Sequence, residues 1–392
     1  EIREAVARLC ADFPGRYWRE RDRGREYPRE FVAALADAGF LAVLIPEQYG
    51  GSGLGVGAAS AVLEEVHRAG CNGAACHAQM YTMGTLLRHG SEDQKRRYLP
   101  KIASGELRLQ AFGVTEPDAG TDTSRITTRA EQDSKGNWRI TGRKIWTSKA
   151  LESEVVLILV RTDPPGKNRL DGLTLFLADL NRDYCDIRPI PKLGRNAVAS
   201  CEVAYDGLPV ENWRMVGQRG QGFKQILHGL NPERILVAAE AIGLGKAALK
   251  KAANYARDRV VFDRPIGQNQ SIQHPLAERW MELEAAELMT YKAAWLYDTK
   301  QTCGAEANAA KYFAAEAGFD AVDLTGYFFA SYPKVPTDAE IFAVKHAAFR
   351  LGLEISGSGV RNDFTTADKS LRDEGKQRIK DWTDVCVKLG AP

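Results

Sequence analysis

The sequence has little of what marks the specialised protein classes. No window comes near twenty uninterrupted apolar residues, and the opening EIREAVARLC reads as an amphipathic helix without the apolar core of a secretory signal. The expectation is a cytoplasmic protein with no membrane partner. Charge of one sign is also missing. Lys and Arg number 53 against 51 Asp and Glu, interspersed, for a formal net charge of +2. That excludes the broad field by which nucleic acid or a membrane surface is held, so any anionic ligand must be bound locally. The seven cysteines form no CxxC pair and neighbour no metal-type His cluster. They read as reduced, mostly buried thiols, with no metal site expected and no cysteine marked as a nucleophile.

What is present is a chain of 392 residues, 44% hydrophobic and 27% charged, long enough for two or three compact units. From residue 1 to about 110, FVAALADAGFLAV and ASAVLEEVHRAG carry apolar residues at three- and four-residue intervals, which predicts helices. From 111 to about 220, short runs such as WRITGRKIW, EVVLILVRT, LTLFLADL and CEVAYDGLPV predict an antiparallel β domain, punctuated by hairpin loops at SKGN and DPPGKNRLDG. From 221 to 392 long helical stripes return and suggest a bundle. The fold class is therefore α+β and mostly helical, with an N-terminal helical domain, a central β-barrel-like domain and a C-terminal four-helix bundle.

The run GSGLGVG invites a dinucleotide-loop reading, which fails. A buried strand should run straight into the glycines, with an acid about twenty residues on opening a second strand. Instead Pro46 interrupts LAVLIPEQYGG, and Glu64–Glu65 falls within the next helical stretch. A turn before a helix is expected.

FGVTEPDAGTD, residues 112 to 122, resembles the most diagnostic signature of the acyl-CoA dehydrogenase family. PEQYGG, GSEDQKRRYLPKIASGE, TGRKIWTS and RVVFDRPIGQNQSIQ follow the family's pattern in order, and the resemblance covers roughly residues 1 to 325. It implies FAD bound between the β domain and the C-terminal helices, in a homotetramer or dimer. The implied reaction is α,β-dehydrogenation of an acyl-CoA, with an electron-transfer flavoprotein as acceptor. By the same resemblance Val114 and Thr115 would meet the pyrimidine edge of the flavin, and Thr121 a phosphate-bearing part of the cofactor. Trp146 would shield the ring, and Ser148 would bond near N5. Arg259, Phe262 and Gln270 would reach the pyrophosphate and adenine from a neighbouring subunit. Uncharged hydroxyls and amides orient a flat ring, while an arginine neutralises pyrophosphate.

LNPER resembles the pattern of isovaleryl-type members, which makes Glu233 the candidate base. Asn231 and Arg234 would by resemblance hold CoA or order the site. Asn231–Pro232 reads either as an N-cap and first helical residue or as a kink in a longer helix beginning near Phe223. Either geometry would expose the Glu233 carboxylate to a cleft, where the positive end of a helix favours its charge and an apolar pocket raises its pKa. By the resemblance, the peptide N–H at Glu233 would also serve the thioester oxygen, together with a ribityl hydroxyl of FAD.

Beyond about Ala321 the agreement ends. LTGYFFASYPKVPTDAEI keeps only Gly326–Tyr327 and DAEI as echoes of the family's glycine-rich turn and later helix. Asp263 stands where the family has glycine, near an expected pyrophosphate. Two alternatives follow: a non-catalytic or half-site subunit of a heteromeric dehydrogenase, or a flavin-dependent oxidase or monooxygenase on the same fold.

Overall fold

The computed structural model describes residues 1–120, 122–192, 194–319, 321–323, 335–351, 354–357 and 369–389. Contacts divide them into two compact units, Glu1–Ala314 and Ala315–Pro392.

The first unit begins with helices α1 (Ile2–Ala11), α2 (Gly15–Gly24), α3 (Arg29–Asp37), α4 (Val56–Arg68), α5 (His77–His89) and α6 (Glu92–Ala103). A capping box starts α6, with Ser91 Oγ accepting from Gln94 N–H and the Gln94 side chain accepting from Ser91 N–H. The glycine run before α4 is the expected turn, and the structure adds its reason. The N–H groups of Val56 and Gly57 donate to the Asp298 carboxylate at 2.7 and 3.0 Å. A Cβ on Gly55 would lie 2.3 Å from Asp298 Oδ2. The positive end of α4 is thus already occupied by a carboxylate of this chain.

The β segment comprises β1 (Ala111–Gly113), β2 (Arg129–Gln132), β3 (Trp138–Ser148), β4 (Val155–Arg161), β5 (Leu173–Asp179), β6 (Cys185–Pro189), β7 (Ser200–Val210) and β8 (Met215–Val216). The sheet order is β6-β7-β3-β2-β4-β5-β8, with β1 added beside β4. Most pairs are antiparallel as expected, but β1 and β2 both meet β4 in parallel, so the sheet is mixed. The near-continuous apolar run of β4 has a physical reason. Leu157 and Leu159 pack in a core shared with α5 and α6, whereas Val156, Ile158 and Val160 pack within the β layer against Trp138 and Phe176. A strand covered on both faces has no polar side to alternate with.

Then come α7 (Gly222–Asp258), the hairpin β9 (Val260–Val261) and β10 (Arg264–Pro265), α8 (Gln270–Asp298) and α9 (Gly304–Phe319). Helix α7 approaches α5 and α4 closely through glycines. A Cβ on Gly229 would lie 2.4 Å from Thr85 Oγ1, and one on Gly243 would lie 2.1 Å from the Glu64 carbonyl oxygen. The buried Glu64 carboxylate also accepts from Arg3 at 2.8 Å and from Lys246 at 3.1 Å, tying α1 and α7 to α4. The second unit contains β11 (Ala321–Asp323), parallel to β12 (Glu354–Gly357), and helices α10 (Asp338–Leu351) and α11 (Lys369–Leu389). Among the described residues no helix is long and apolar enough to cross a membrane.

Two glycine substitutions test this packing in opposite directions. Gly84 in α5 has nothing within 4 Å of a Cβ, so Gly84→Ala stabilises by about 0.5–1 kcal/mol through helix propensity. Gly243→Ala forces backbone against backbone and costs about 2 kcal/mol or more. Urea midpoints of the two variants should move apart, and equal midpoints would contradict the close approach of α4 and α7.

Candidate functional site

One group of implicated residues lies where β1 gives way to the segment leading to Glu116. Trp146, in β3, has φ +63°, at the irregular stretch where pairing with β7 shifts register between Lys144 and Thr147. A left-handed tryptophan in a strand is costly. Its effect is to leave the indole 55% exposed. Beside it, the Thr115 carbonyl accepts from Ile145 N–H at 2.9 Å, and the Val114 carbonyl accepts from Lys144 Nζ at 2.9 Å. Both carbonyls are therefore used. Among the described residues, the Thr115 amide and the hydroxyls of Thr115 and Ser148 have no partner. An exposed flat indole next to free donors and hydroxyls suits the polar edge and face of a planar heteroaromatic ring, which is the fit FAD requires. Thr121 lies outside the described residues.

The motif glutamate has a role the sequence reading missed. Glu116 is 4% exposed, and its carboxylate accepts from Lys144 Nζ at 2.9 Å, from both the amide and hydroxyl of Thr127 at 2.8 Å, and from the Thr128 amide at 2.9 Å. Burial acts to raise its pKa, but the Lys144 charge and these donors pull it down to about 2. The signal was a TEP motif followed by a lysine two residues before the tryptophan. Read as an ion pair, it locks the Val114–Thr115 segment to β3.

Glu233 occupies α7, which runs unbroken from Gly222 with Pro232 inside it. This corrects the N-cap alternative. Glu233 stands about three turns into a helix, so no helix N-terminus acts on its carboxylate and its peptide is not a first-turn donor. Pro232 instead removes the helical hydrogen bond to the His228 carbonyl. Glu233 is 21% exposed, and its Oε1 accepts from Lys311 Nζ in α9 at 3.3 Å. Oε2 has no partner among the described residues. Arg234 donates to Asn231 Oδ1 at 3.2 Å. Asn231 in turn lines a cavity of about 940 Å³ shared with Arg88, His228, Tyr297, Lys300 and Cys303. Asn231 therefore joins Arg234 to the wall of a polar cavity that carries Arg88, Lys300 and also Asp298, while Glu233 is not among the lining residues.

Arg259, Phe262 and Gln270 form a separate group on the β9–β10 hairpin and the first residue of α8. Phe262 is 94% exposed. Phe262 and Asp263 are the two loop residues and both are left-handed, with φ +52° and +59°. That is the conformation of a two-residue hairpin turn that favours glycine or asparagine, so the aspartate carries strain there. Gly326–Tyr327, the echo of the late glycine turn, lies outside the described residues.

A further buried group was not expected. On the face of α7 two turns beyond Glu233, Glu240 bonds His77 Nδ1 and lies 3.5 Å from His67 Nε2 and 3.7 Å from Arg195. Burial acts to raise its pKa, yet His77, His67 and Arg195 bring it down to about 2. His67 Nε2 accepts from Gly73 N–H at 3.0 Å, and burial depresses its pKa to about 4, so that imidazole is neutral. The seven-residue spacing of the two glutamates was the available clue. All seven cysteines are free, and six are buried. Among the described residues no group of side chains could hold a metal ion.

Comparison with known proteins gives consistent matches. The chain matches the family models for the acyl-CoA dehydrogenase N-terminal domain over residues 1–106, the middle domain over 111–208 and the C-terminal domain over 220–326. It is 38% identical over 325 residues to "Acyl-CoA dehydrogenase FadE12" of Mycobacterium tuberculosis, covering 82% of this chain and 83% of that one. It is 34% identical over 326 residues to a glutaryl-CoA dehydrogenase of Desulfococcus multivorans, covering 81% of each. Among solved structures, a glutaryl-coenzyme A dehydrogenase in complex with glutaryl-CoA superposes with a TM-score of 0.75 at 27% identity, covering 100% of this chain and 91% of that one.

The buried carboxylates set the acid limit of the fold. Glu116 and Glu240 both have folded pKa values depressed to about 2 from 4.5. Their stabilisation is complete above about pH 4.5 and is lost as pH falls toward 2. Glu116→Gln strands Lys144 as a buried charge, which costs about 3–5 kcal/mol at neutral pH and flattens the acid limb of a Tm-against-pH profile. An unchanged profile would remove the pair from this role.

Proposed function

The chain belongs to the acyl-CoA dehydrogenase family, and from that premise we propose that Glu233 is the base that takes the α-proton of the bound thioester. The reaction is FAD-dependent dehydrogenation of an acyl-CoA, an oxidation across a CH–CH bond. When bound, FAD supplies the acceptor for the β-hydride, at flavin N5.

The observation that carries the assignment is the state of the Glu233 carboxylate. It is largely shielded from water, with one oxygen engaged by Lys311 and the other open. The open oxygen Oε2 receives the proton, and Lys311 holds the carboxylate in one orientation while it does so. Asn231 and Arg234 order the cavity wall where the CoA portion would lie. Arg88 and Lys300 on the same wall supply positive charge for its phosphates. Thr115 and Ser148 would orient the ring edge through their unpartnered groups with Val114 beside it, Trp146 would cover the ring, and Thr121 is the residue proposed for the phosphates. The free thioester oxygen must find its donors elsewhere than in the peptide of a mid-helix glutamate.

Arg259, Phe262 and Gln270 serve a neighbouring copy's cofactor. In support, α8 presents Met281, Leu288 and Trp295, 57%, 76% and 58% exposed, along one stripe. Such a stripe is what a second copy would cover. The three parts 1–110, 111–220 and 221–392 serve as helical, β and helical domains, in keeping with α6 ending at Ala103 and β1 starting at Ala111. An electron-transfer flavoprotein is the expected acceptor. Free thiols throughout suit a cytoplasmic setting.

In an anaerobic titration, flavin absorbance of the holoprotein bleaches with a saturated acyl-CoA. Glu233→Gln retains FAD but slows bleaching and α-proton exchange by about 10²–10⁴-fold. Near-normal rates in that variant would remove Glu233 from the mechanism. A protein that stays colourless with added FAD would favour the half-site subunit. Separately, Leu288→Arg lowers the mass measured by light scattering if α8 is the interface, whereas an unchanged oligomer places the interface elsewhere.

A further inference from the structure

Helices α5 and α7 run antiparallel, with Thr85 facing Gly229 and His77 meeting Glu240. His89, the last residue of α5, therefore falls opposite His228 of α7. Their rings lie nearly parallel, with centroids 5.1 Å apart, and His89 Nε2 is 2.9 Å from His228 Nδ1. Two bare ring nitrogens at that distance repel, so one ring donates to the other. His228 also lines the cavity of about 940 Å³ that carries Arg88, Asn231, Asp298 and Lys300, where we place the CoA portion.

A bonded pair of imidazoles holds two N–H protons when neutral and three when it carries one positive charge. In the neutral pair the second proton sits on the outer nitrogen of whichever ring accepts. With the third proton in place both outer nitrogens carry N–H, whichever ring donates, and the bond between the rings survives. The singly charged pair thus offers the cavity a charged donor at His228 Nε2, the nitrogen not facing His89.

The surroundings oppose that charge in the free protein. Burial, the facing His228 ring and Arg88 hold His89 below the usual imidazole value, and burial, Arg88 and Lys224 do the same to His228. The C-terminal end of α5 favours charge on His89 but is outweighed. The nearby carboxylates are already engaged. Asp298 accepts from Val56 and Gly57 N–H, Glu233 is paired with Lys311, and Glu92 and Asp93 beyond His89 are paired with Lys95 and Arg96. Lys300, Tyr297 and Cys303, the other titratable groups on the wall, bring no negative charge at neutral pH. A phosphate entering the cavity reverses the balance, because its negative charge favours the protonated ring.

We propose that the His89–His228 pair is a proton-coupled contact for a phosphate of the bound CoA thioester, taking up one proton from solvent as the ligand enters the cavity. Affinity is then greatest where the pair is charged before binding, and it falls as pH rises through about 6 to 8. This deepens the dehydrogenase reading and rests on its placement of CoA.

The test titrates the FAD-loaded protein with acetyl-CoA, which has no β-carbon and so is not dehydrogenated, by calorimetry in buffers of different ionisation enthalpy. Near pH 7 the wild type takes up about half a proton more than His228→Gln, whose amide still hydrogen-bonds but does not titrate. His228→Asn serves the same comparison if the glutamine variant loses FAD. In turnover of a saturated acyl-CoA, the wild-type KM rises about three- to tenfold relative to that of the variant between about pH 6 and 8, while the ratio of their kcat values stays level. The 3′-phosphate's own ionisation acts on both proteins alike and cancels. Equal proton uptake with parallel KM profiles would overturn the proposal and leave the dehydrogenase reading standing. So would a difference in uptake that persists with S-acetylpantetheine, which carries no phosphate. Failure of every acyl-CoA to bleach the flavin would overturn both.

Discussion

The site depends first on a carboxylate taken out of water. Glu116 is buried at the point where the chain leaves β1, and isolated burial of its charge would cost far more than one contact returns. Lys144 and the donors of Thr127 and Thr128 complete its hydrogen-bonding capacity. The consequence is geometric. Lys144 also donates to the Val114 carbonyl, and Ile145 N–H to that of Thr115, so one ion pair fixes both the 114–115 edge and the strand that displays Trp146. With their carbonyls spent internally, those residues offer only their remaining donors and hydroxyls outward.

Helix α7 is the second fixed reference. At 37 residues it is long enough to pass the β layer, α5 and α4 in succession, and its glycines bring each neighbour close. Glu233 and Glu240 share one face, but their surroundings differ. Glu240 is enclosed by His77, His67 and Arg195 and held as an anion within the protein. Glu233 is paired on one oxygen only. A carboxylate whose capacity is filled is structural, and one left half-filled is available for chemistry.

Much of this was legible in the sequence, for identifiable reasons. The helix, sheet, helix order followed from apolar periodicity because each element buries one face. The glycine run before α4 was separable from a cofactor loop because no strand fed it. What was not legible was tertiary. The parallel placement of β1 and β2 on β4 has no local signature, since parallel and antiparallel buried strands read alike. The Asn231–Pro232 ambiguity was decided by packing. Proline at the start of a helix and proline within one look the same until α5 and α9 hold the helix through the break.

The same limit explains why the ionisable groups were read unevenly. Glu233 stood out by its motif, whereas Glu240, His77 and His67 look ordinary along the chain, because His77 lies 163 residues from its partner. Their significance appears only when two antiparallel helices bring them together. Glu240 shows what such a meeting supplies: with His77, His67 and Arg195 around it, its charge is held inside the protein. A buried carboxylate with its capacity filled thereby ties α7 to α4 and α5 without any role in the chemistry.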